Sequence, residues 1–325
     1  MVVMDRVDNA LLHELELDSR QPFSKIGKKL RMSKESVKYR FDALKRKGVI
    51  SGTTVFSNLP KLGFLYIKVY FQFRGLAKGD EKRLLDYLQM RPEVVWLADC
   101  FGKYDLIING VFADLPKFDL FMDEFLTRFG KFVELRDTCF ISDLRRLSRS
   151  HLSGRQVAVS IATTRQKSVD EVDLEILSML SRDARLSSQS LGLKVGLTGP
   201  AVRERIKKLI KSGHIGRFTV NVNYRAFNYT FVKVMLRLQA VNDATRRKFL
   251  SYCENLPGLF YTVVGTGVSD MDLDFEVEDL KSFQGTLRKI KSDFPDLIRE
   301  YELLIISNER KLDLAGGLLA ATKAK

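Results

Sequence analysis

With 325 residues, 45% apolar and 29% charged, the chain is long enough for two or more packed domains and has an ordinary globular composition. Its net charge of +14 points to a polyanionic partner, nucleic acid first. No apolar stretch approaches the roughly 20 residues of a membrane helix, residues 1–5 are too short and acidic for a leader, and three isolated cysteines exclude a disulfide framework; a cytoplasmic protein without metal or cofactor is expected.

Asp5 suits a helix N-cap, and Val7, Leu11, Leu12 and Leu15 follow at helical spacing. Phe23, Ile26 and Leu30 mark a second helix. The short turn Arg31-Met32-Ser33 then opens a third, with Val37, Phe41 and Leu44 inward. Two short helices joined by a three-residue turn predict a helix-turn-helix, whose second helix enters the DNA major groove. The candidate DNA-binding residues are Ser33, Lys34, Ser36, Lys38, Tyr39, Arg40 and Lys45. Lys and Arg on such a helix neutralise phosphates or reach guanine edges. The alternative is a merely solvated charged face. Gly48 ends the helix, and Thr53 to Phe56 reads as a short strand leading out of a domain over residues 1–57.

Residues 58–142 predict a βαββαβ unit. Leu65 to Phe73 alternates as a half-buried strand, Asp80 to Met90 is helical, and Val94 to Phe101 and Asp105 to Phe112 are strands around the turn Gly102-Lys103-Tyr104. Leu115 to Phe129 carries Phe118, Phe121, Met122 and Phe125 at helical spacing, a core stripe rather than a cofactor box, and Val133 to Ile141 closes the unit. Residues 143–169 form a basic linker, a strap onto phosphate or simply solvated chain, with Arg145, Arg146, Arg149, Arg155, Arg165 and Lys167.

The whole pattern then repeats. Asp5-Arg6-Val7-Asp8 recurs as Asp170-Glu171-Val172-Asp173, an offset of 165 residues, and the register holds without a gap through Gly102 and Gly267 to Phe129 and Phe294. This period is too long for a solenoid, so a module has been duplicated and fused. Residues 170–221 form the second helix-turn-helix, with Thr198, Pro200, Arg203, Arg205, Lys207 and Lys208 as candidate DNA contacts. Residues 222–312 repeat the βαββαβ unit, and 313–325 form a tail. The positive excess sits in 1–57, 143–169 and 170–221, while 58–142 is balanced.

These motifs carry a resemblance. Val7-Asp8 with Leu11-Leu12, the run Ser33 to Leu44, Lys47-Gly48-Val49-Ile50 and Gly102-Lys103-Tyr104-Asp105 resemble the leucine-responsive regulatory protein (Lrp/AsnC) family, here in tandem. The resemblance implies an α+β fold of two winged or helix-turn-helix domains, each followed by a ferredoxin-like domain. It implies a transcription regulator whose second domain pairs subunits and binds an amino acid or related small metabolite near the Gly-x-Tyr-Asp turn. The effector candidates are therefore Gly102, Tyr104 and Asp105, with Gly267 and Asp270 in the second copy, which lacks the tyrosine. A simple hairpin turn is the competing reading.

The expected partners are double-stranded DNA and such an effector, with an intrachain pseudo-dimer, a homo-oligomer and no membrane. No catalytic residue is assigned, and an enzyme is not expected. The alternatives are an enzyme like the siroheme decarboxylases, which resemble this family, and an architectural DNA binder without effector.

Overall fold

The computed structural model describes residues 4–153, 156–160, 169–239 and 242–313. Arg155, Arg165, Lys167 and nearly all of the tail lie outside the described residues. The first helix-turn-helix comprises α1 (Arg6–Leu17), α2 (Phe23–Leu30) and α3 (Lys34–Arg46), followed by β1 (Ile50–Ser57). The first βαββαβ unit is β2 (Leu65–Phe73), α4 (Lys78–Met90), β3 (Val94–Phe101), β4 (Leu106–Phe112), α5 (Leu115–Phe129) and β5 (Val133–Leu147). Short α6 (Ser150–Ser153) and β6 (Ala158–Ser160) follow.

The second copy opens with α7 (Glu171–Arg182), α8 (Ser188–Val195), α9 (Gly199–Lys211) and β7 (Ile215–Val222). It continues with β8 (Thr230–Leu238), α10 (Asp243–Cys253), β9 (Leu259–Gly267), β10 (Met271–Val277), α11 (Leu280–Asp293) and β11 (Ile298–Leu312). Among the described residues no helix is long and apolar enough to cross a membrane. Cys100, Cys139 and Cys253 are free and buried.

Within each βαββαβ unit the strand order is that of a ferredoxin-like sheet: β5-β2-β4-β3 and β11-β8-β10-β9. The two sheets then join at both ends. β3 pairs with β11 and β9 with β5, so eight strands close into a ring, with β6 attached outside it to β5. Closure removes the exposed edges that either sheet would have alone. It also changes the reading of β2 as half-buried. Ile67, Val69 and Phe71 pack under α4 and α5, while Lys68 and Tyr70 face a second core between the sheets. Both faces of the strand are covered.

The ring has a pseudo-two-fold axis. It also runs through the antiparallel pair β1–β7, where Thr54 lies opposite Thr219, its own counterpart in the repeat. The short strands that lead out of each helix-turn-helix therefore pair with each other and tie the two copies together.

The connection after the first ring half is less of a linker than its composition suggests. β5 extends to Leu147, beyond the boundary at 142 expected from sequence. Arg145 is paired with Asp143 and Glu254. Arg149, 6% exposed, joins Glu16 of α1 to Glu276 of β10. These two arginines bind the protein to itself, and their charges are taken by carboxylates of the chain. His151 lies beside them, half-buried, its ring centroid 4.7 Å from that of Tyr229. Burial first, then the Arg149 charge, lowers its pKa from 6.5 to about 4. The unfolded chain takes up this proton before the folded one does, so stability is full above pH 6.5 and falls as pH drops toward 4. The expected slope from this group is up to about 1.4 kcal/mol per pH unit. Urea midpoints between pH 7 and 4 measure it, and His151→Phe should flatten the His151 component.

Candidate nucleic-acid interface and a cavity on the pseudo-dyad

Each helix-turn-helix is assembled by the same contacts. The Asp5 side chain accepts from the Asp8 backbone N–H at 2.7 Å and caps α1. Arg40 of α3 donates to Asp5 at 2.8 Å and to Asp8 at 2.6 Å. Arg205 repeats this with Asp170 at 2.7 Å and Asp173 at 2.9 Å. The capping hydrogen bond from Asp8, helped by Arg40, lowers the Asp5 pKa. Arg40 and Arg205 therefore hold the recognition helix against the first helix, and their guanidinium groups are committed within the domain. Ser33 and Thr198 are N-caps, accepting from the amides of Ser36 and Ala201. Pro200 fills the first turn of α9, where its missing N–H costs nothing.

The remaining candidates stand outward. Lys34, Ser36, Lys38, Tyr39 and Lys45 are exposed on α3, Tyr39 by 68%. Arg203, Lys207 and Lys208 are exposed on α9, with Lys207 paired to Glu204 at 2.7 Å. The sequence reading missed the residues that shape the turn. A Cβ on Gly27 would lie 2.5 Å from the Met32 carbonyl oxygen, and one on Gly192 would lie 2.2 Å from that of Leu197. A helical glycine five residues before each turn residue was the available signal.

It also missed how the two units dock. Arg20 reaches across to the Ala184 and Leu186 carbonyls at 2.5 and 2.7 Å. Its repeat counterpart, Arg185, donates back to the carbonyls of Ser19 and Gln21 and lies 3.9 Å over the Phe23 ring. The hydroxyls of Thr53 and Thr54 bond to Asp183 and the Ser181 carbonyl. Burial lowers the pKa of both arginines. The reciprocal clamp ties the two helix-turn-helix domains to each other.

The effector candidates at the turns are occupied otherwise. Asp105 accepts from the Phe73 amide at 2.7 Å, and Asp270 from the Leu238 amide at 2.8 Å. Each carboxylate closes the end of the first strand of its unit. Tyr104 is fully buried, its hydroxyl donating to Asp137 at 2.6 Å, and burial raises its pKa. It is a core residue and does not offer the open ring and hydroxyl expected of it. Gly102 and Gly267 have φ of +133° and +141°. A Cβ there would meet the Leu303 oxygen at 2.6 Å or the Thr138 oxygen at 2.1 Å on the opposite copy's last strand. The glycines are needed where the two sheets join.

A space open to a small molecule lies elsewhere. A cavity of about 320 Å³ sits on the pseudo-dyad, between the strand ring and the β1–β7 pair. Trp96, Phe231, Phe260 and Tyr261 contribute rings to its wall, and Lys68 and Lys233 face it from the ring interior. Lys68 donates to Asp272 at 2.6 Å, and Tyr70 donates to the same oxygen at 2.9 Å. Lys233 pairs with Asp274. Burial would raise the Asp272 pKa, but Lys68 and Lys233 outweigh it and lower it to about 2. None of the three described histidines lines the cavity.

An AsnC-type helix-turn-helix domain is matched twice, over residues 4–45 and 169–210. The HTH-type transcriptional regulator LrpC of Bacillus subtilis is 30% identical over 122 residues, 37% of this chain and 83% of its own. The leucine-responsive regulatory protein of Rhizobium meliloti is 30% identical over 117 residues, 36% of this chain and 75% of its own. Each such relative corresponds to about one half of the chain. Among solved structures, a siroheme decarboxylase covers 98% of both chains with a TM-score of 0.65 at 11% identity, a likeness of fold alone.

Proposed function

Because the chain belongs to the Lrp/AsnC family of helix-turn-helix transcriptional regulators and carries that family's module twice in tandem, we propose that it is a sequence-specific regulator reading two unlike half-sites on duplex DNA. The observation that supports this reading is the reciprocal Arg20 and Arg185 clamp, which ties the two helix-turn-helix domains together within one chain. Lys34, Lys38 and Lys45 on α3 and Arg203 and Lys208 on α9 supply the contacts to phosphates and base edges. The faces differ, with Lys34-Glu35-Ser36 on one helix and Gly199-Pro200-Ala201 on the other, so the half-sites differ. Selection of binding sites from random DNA should return an asymmetric pair of half-sites; a strict palindrome bound by a single chain would contradict this. Control by a small metabolite belongs to the same proposal, seated in the axial cavity and not at the Tyr104 turn.

A second reading, an enzyme like the siroheme decarboxylases, is favoured by the end-to-end likeness of fold to one. The proposed regulator should leave the absorption spectrum of an added iron tetrapyrrole unchanged, whereas the enzyme would shift it.

A further inference from the structure

The axial cavity has a property that follows from its place. Residues related by the 165-residue offset meet across it as unlike pairs: Tyr66 with Phe231, Trp96 with Tyr261, and Asn109 with Asp274. A site on a two-fold axis of identical halves would hold a ligand in two equivalent orientations. Here the halves differ, so one molecule has one best orientation.

The chemistry of the wall narrows what that molecule is. Trp96 and Phe231 lie 6.4 Å apart between ring centroids, Phe231 and Phe260 4.9 Å, and Phe260 and Tyr261 5.0 Å, giving a continuous aromatic surface. Such a surface favours a flat ring system. Two lining amides, Asn109 and Asn221, each keep a buried carbonyl oxygen without a hydrogen-bond partner. Buried acceptors left unpaired are rare in proteins and call for N–H or O–H donors. The Asn109 amide nitrogen is already used, donating to the Tyr66 hydroxyl at 3.1 Å, so the oxygen is the end left over. Most of the cavity's charge is internally balanced: Lys68 by Asp272, Lys233 by Asp274, and Arg149 by Glu16 and Glu276. Arg146 and Glu309 also line it, and they are engaged by the Tyr261 hydroxyl and the Val220 carbonyl and by the Trp96 indole N–H, so a charged ligand would compete with these partners and a neutral one would not.

We infer that the cavity binds one neutral, planar nitrogen heterocycle of nucleobase size per chain, its ring against the aromatic wall and its N–H groups on the Asn109 and Asn221 carbonyls. The volume of about 320 Å³ lies at the small end of the range for ligand pockets, roughly 300–1,000 Å³. Phe56 and Val222 also line the cavity, and they belong to the β1–β7 pair that carries both helix-turn-helices. Occupancy therefore bears on the spacing of α3 and α9. The regulatory consequence rests on the DNA-binding reading; the site itself does not.

The chain has a single tryptophan, and it is Trp96 in this wall. Adenine, hypoxanthine and uracil, titrated separately into the full-length protein without DNA, test the inference through Trp96 emission, with calorimetry for stoichiometry. At least one base should give a saturable change with one site per chain. Asn109→Leu, which removes an acceptor, should weaken it at least tenfold. Leu144→Phe, which fills space at another lining position, should do the same, and unchanged thermal transitions would show that both variants are folded. The inference is overturned if no base changes the emission at millimolar concentration, if neither folded variant alters the response, or if leucine or phenylalanine binds the site in place of the bases. Because no DNA is present, failure here leaves the DNA-binding reading standing, and failure of DNA binding leaves this one.

Discussion

Asp272→Ala should be the most damaging single substitution in the strand ring, lowering stability by about 3–5 kcal/mol, because it leaves the buried Lys68 ammonium without its counter-charge. Lys68 is 2% exposed and cannot turn to water, and the nearby Asp274 is taken by Lys233. Tyr70 would lose its acceptor at the same time. Urea unfolding at pH 7 measures the loss. Replacing both partners, Lys68→Met with Asp272→Leu, should recover most of it, since an apolar pair of similar volume removes the desolvation problem. A double variant as unstable as the single one would show that the cost lies in packing. The pair also sets an acid limit. Lys68 and Lys233 bring the Asp272 pKa down to about 2, below the 3.8 of an ordinary aspartate. Its contribution is complete above about pH 4 and is lost as pH falls through 2, a window lower than that of His151.

The second large effect concerns DNA. Lys38→Ala combined with Arg203→Ala should weaken binding to the selected site by tenfold or more, about 1.4 kcal/mol, because it removes one exposed cation from each recognition helix. Anisotropy titrations at several salt concentrations separate the two roles open to them. A phosphate contact leaves specificity intact and reduces the salt slope by about one per cation; a base contact relaxes preference at one position. Lys82→Ala with Arg247→Ala removes the same charge from α4 and α10, where both side chains are exposed, and should change little. Equal effects from the two pairs would reduce the interface to nonspecific charge.

The repeat made most of the fold legible. Local periodicity marked the helices and strands, and a second copy at constant offset checked each one. The boundaries of β2, β3 and α5 agree with the sequence reading, whereas β5 runs further. Its added residues, such as Arg145, pair with the opposite copy and read locally as linker. Ring closure was invisible for the same reason: pairing of β3 with β11 depends on residues some 200 positions apart, and nothing in either segment announces it. The turn Gly102-Lys103-Tyr104-Asp105 shows the reverse problem. Residue types suited to a ligand are also suited to joining two sheets, and only burial and the Phe73 amide distinguish the two uses. The cavity left no motif because its lining is drawn from both copies, one or a few residues per strand.

The asymmetry inside the strand ring also bears on the history of the gene. Lys68 and Lys233 occupy matching positions, but the acids that neutralise them, Asp272 and Asp274, both come from the second copy; the first has Ile107 and Asn109 there. Two first halves brought together would bury two lysines with no acid, and two second halves would crowd four aspartates around two lysines. Each half has thus lost the ability to serve as its own partner. Once those four positions had diverged, the fused gene could no longer shed a half and revert to a self-pairing ancestor, although it could still be cut into two genes whose products recognise only each other.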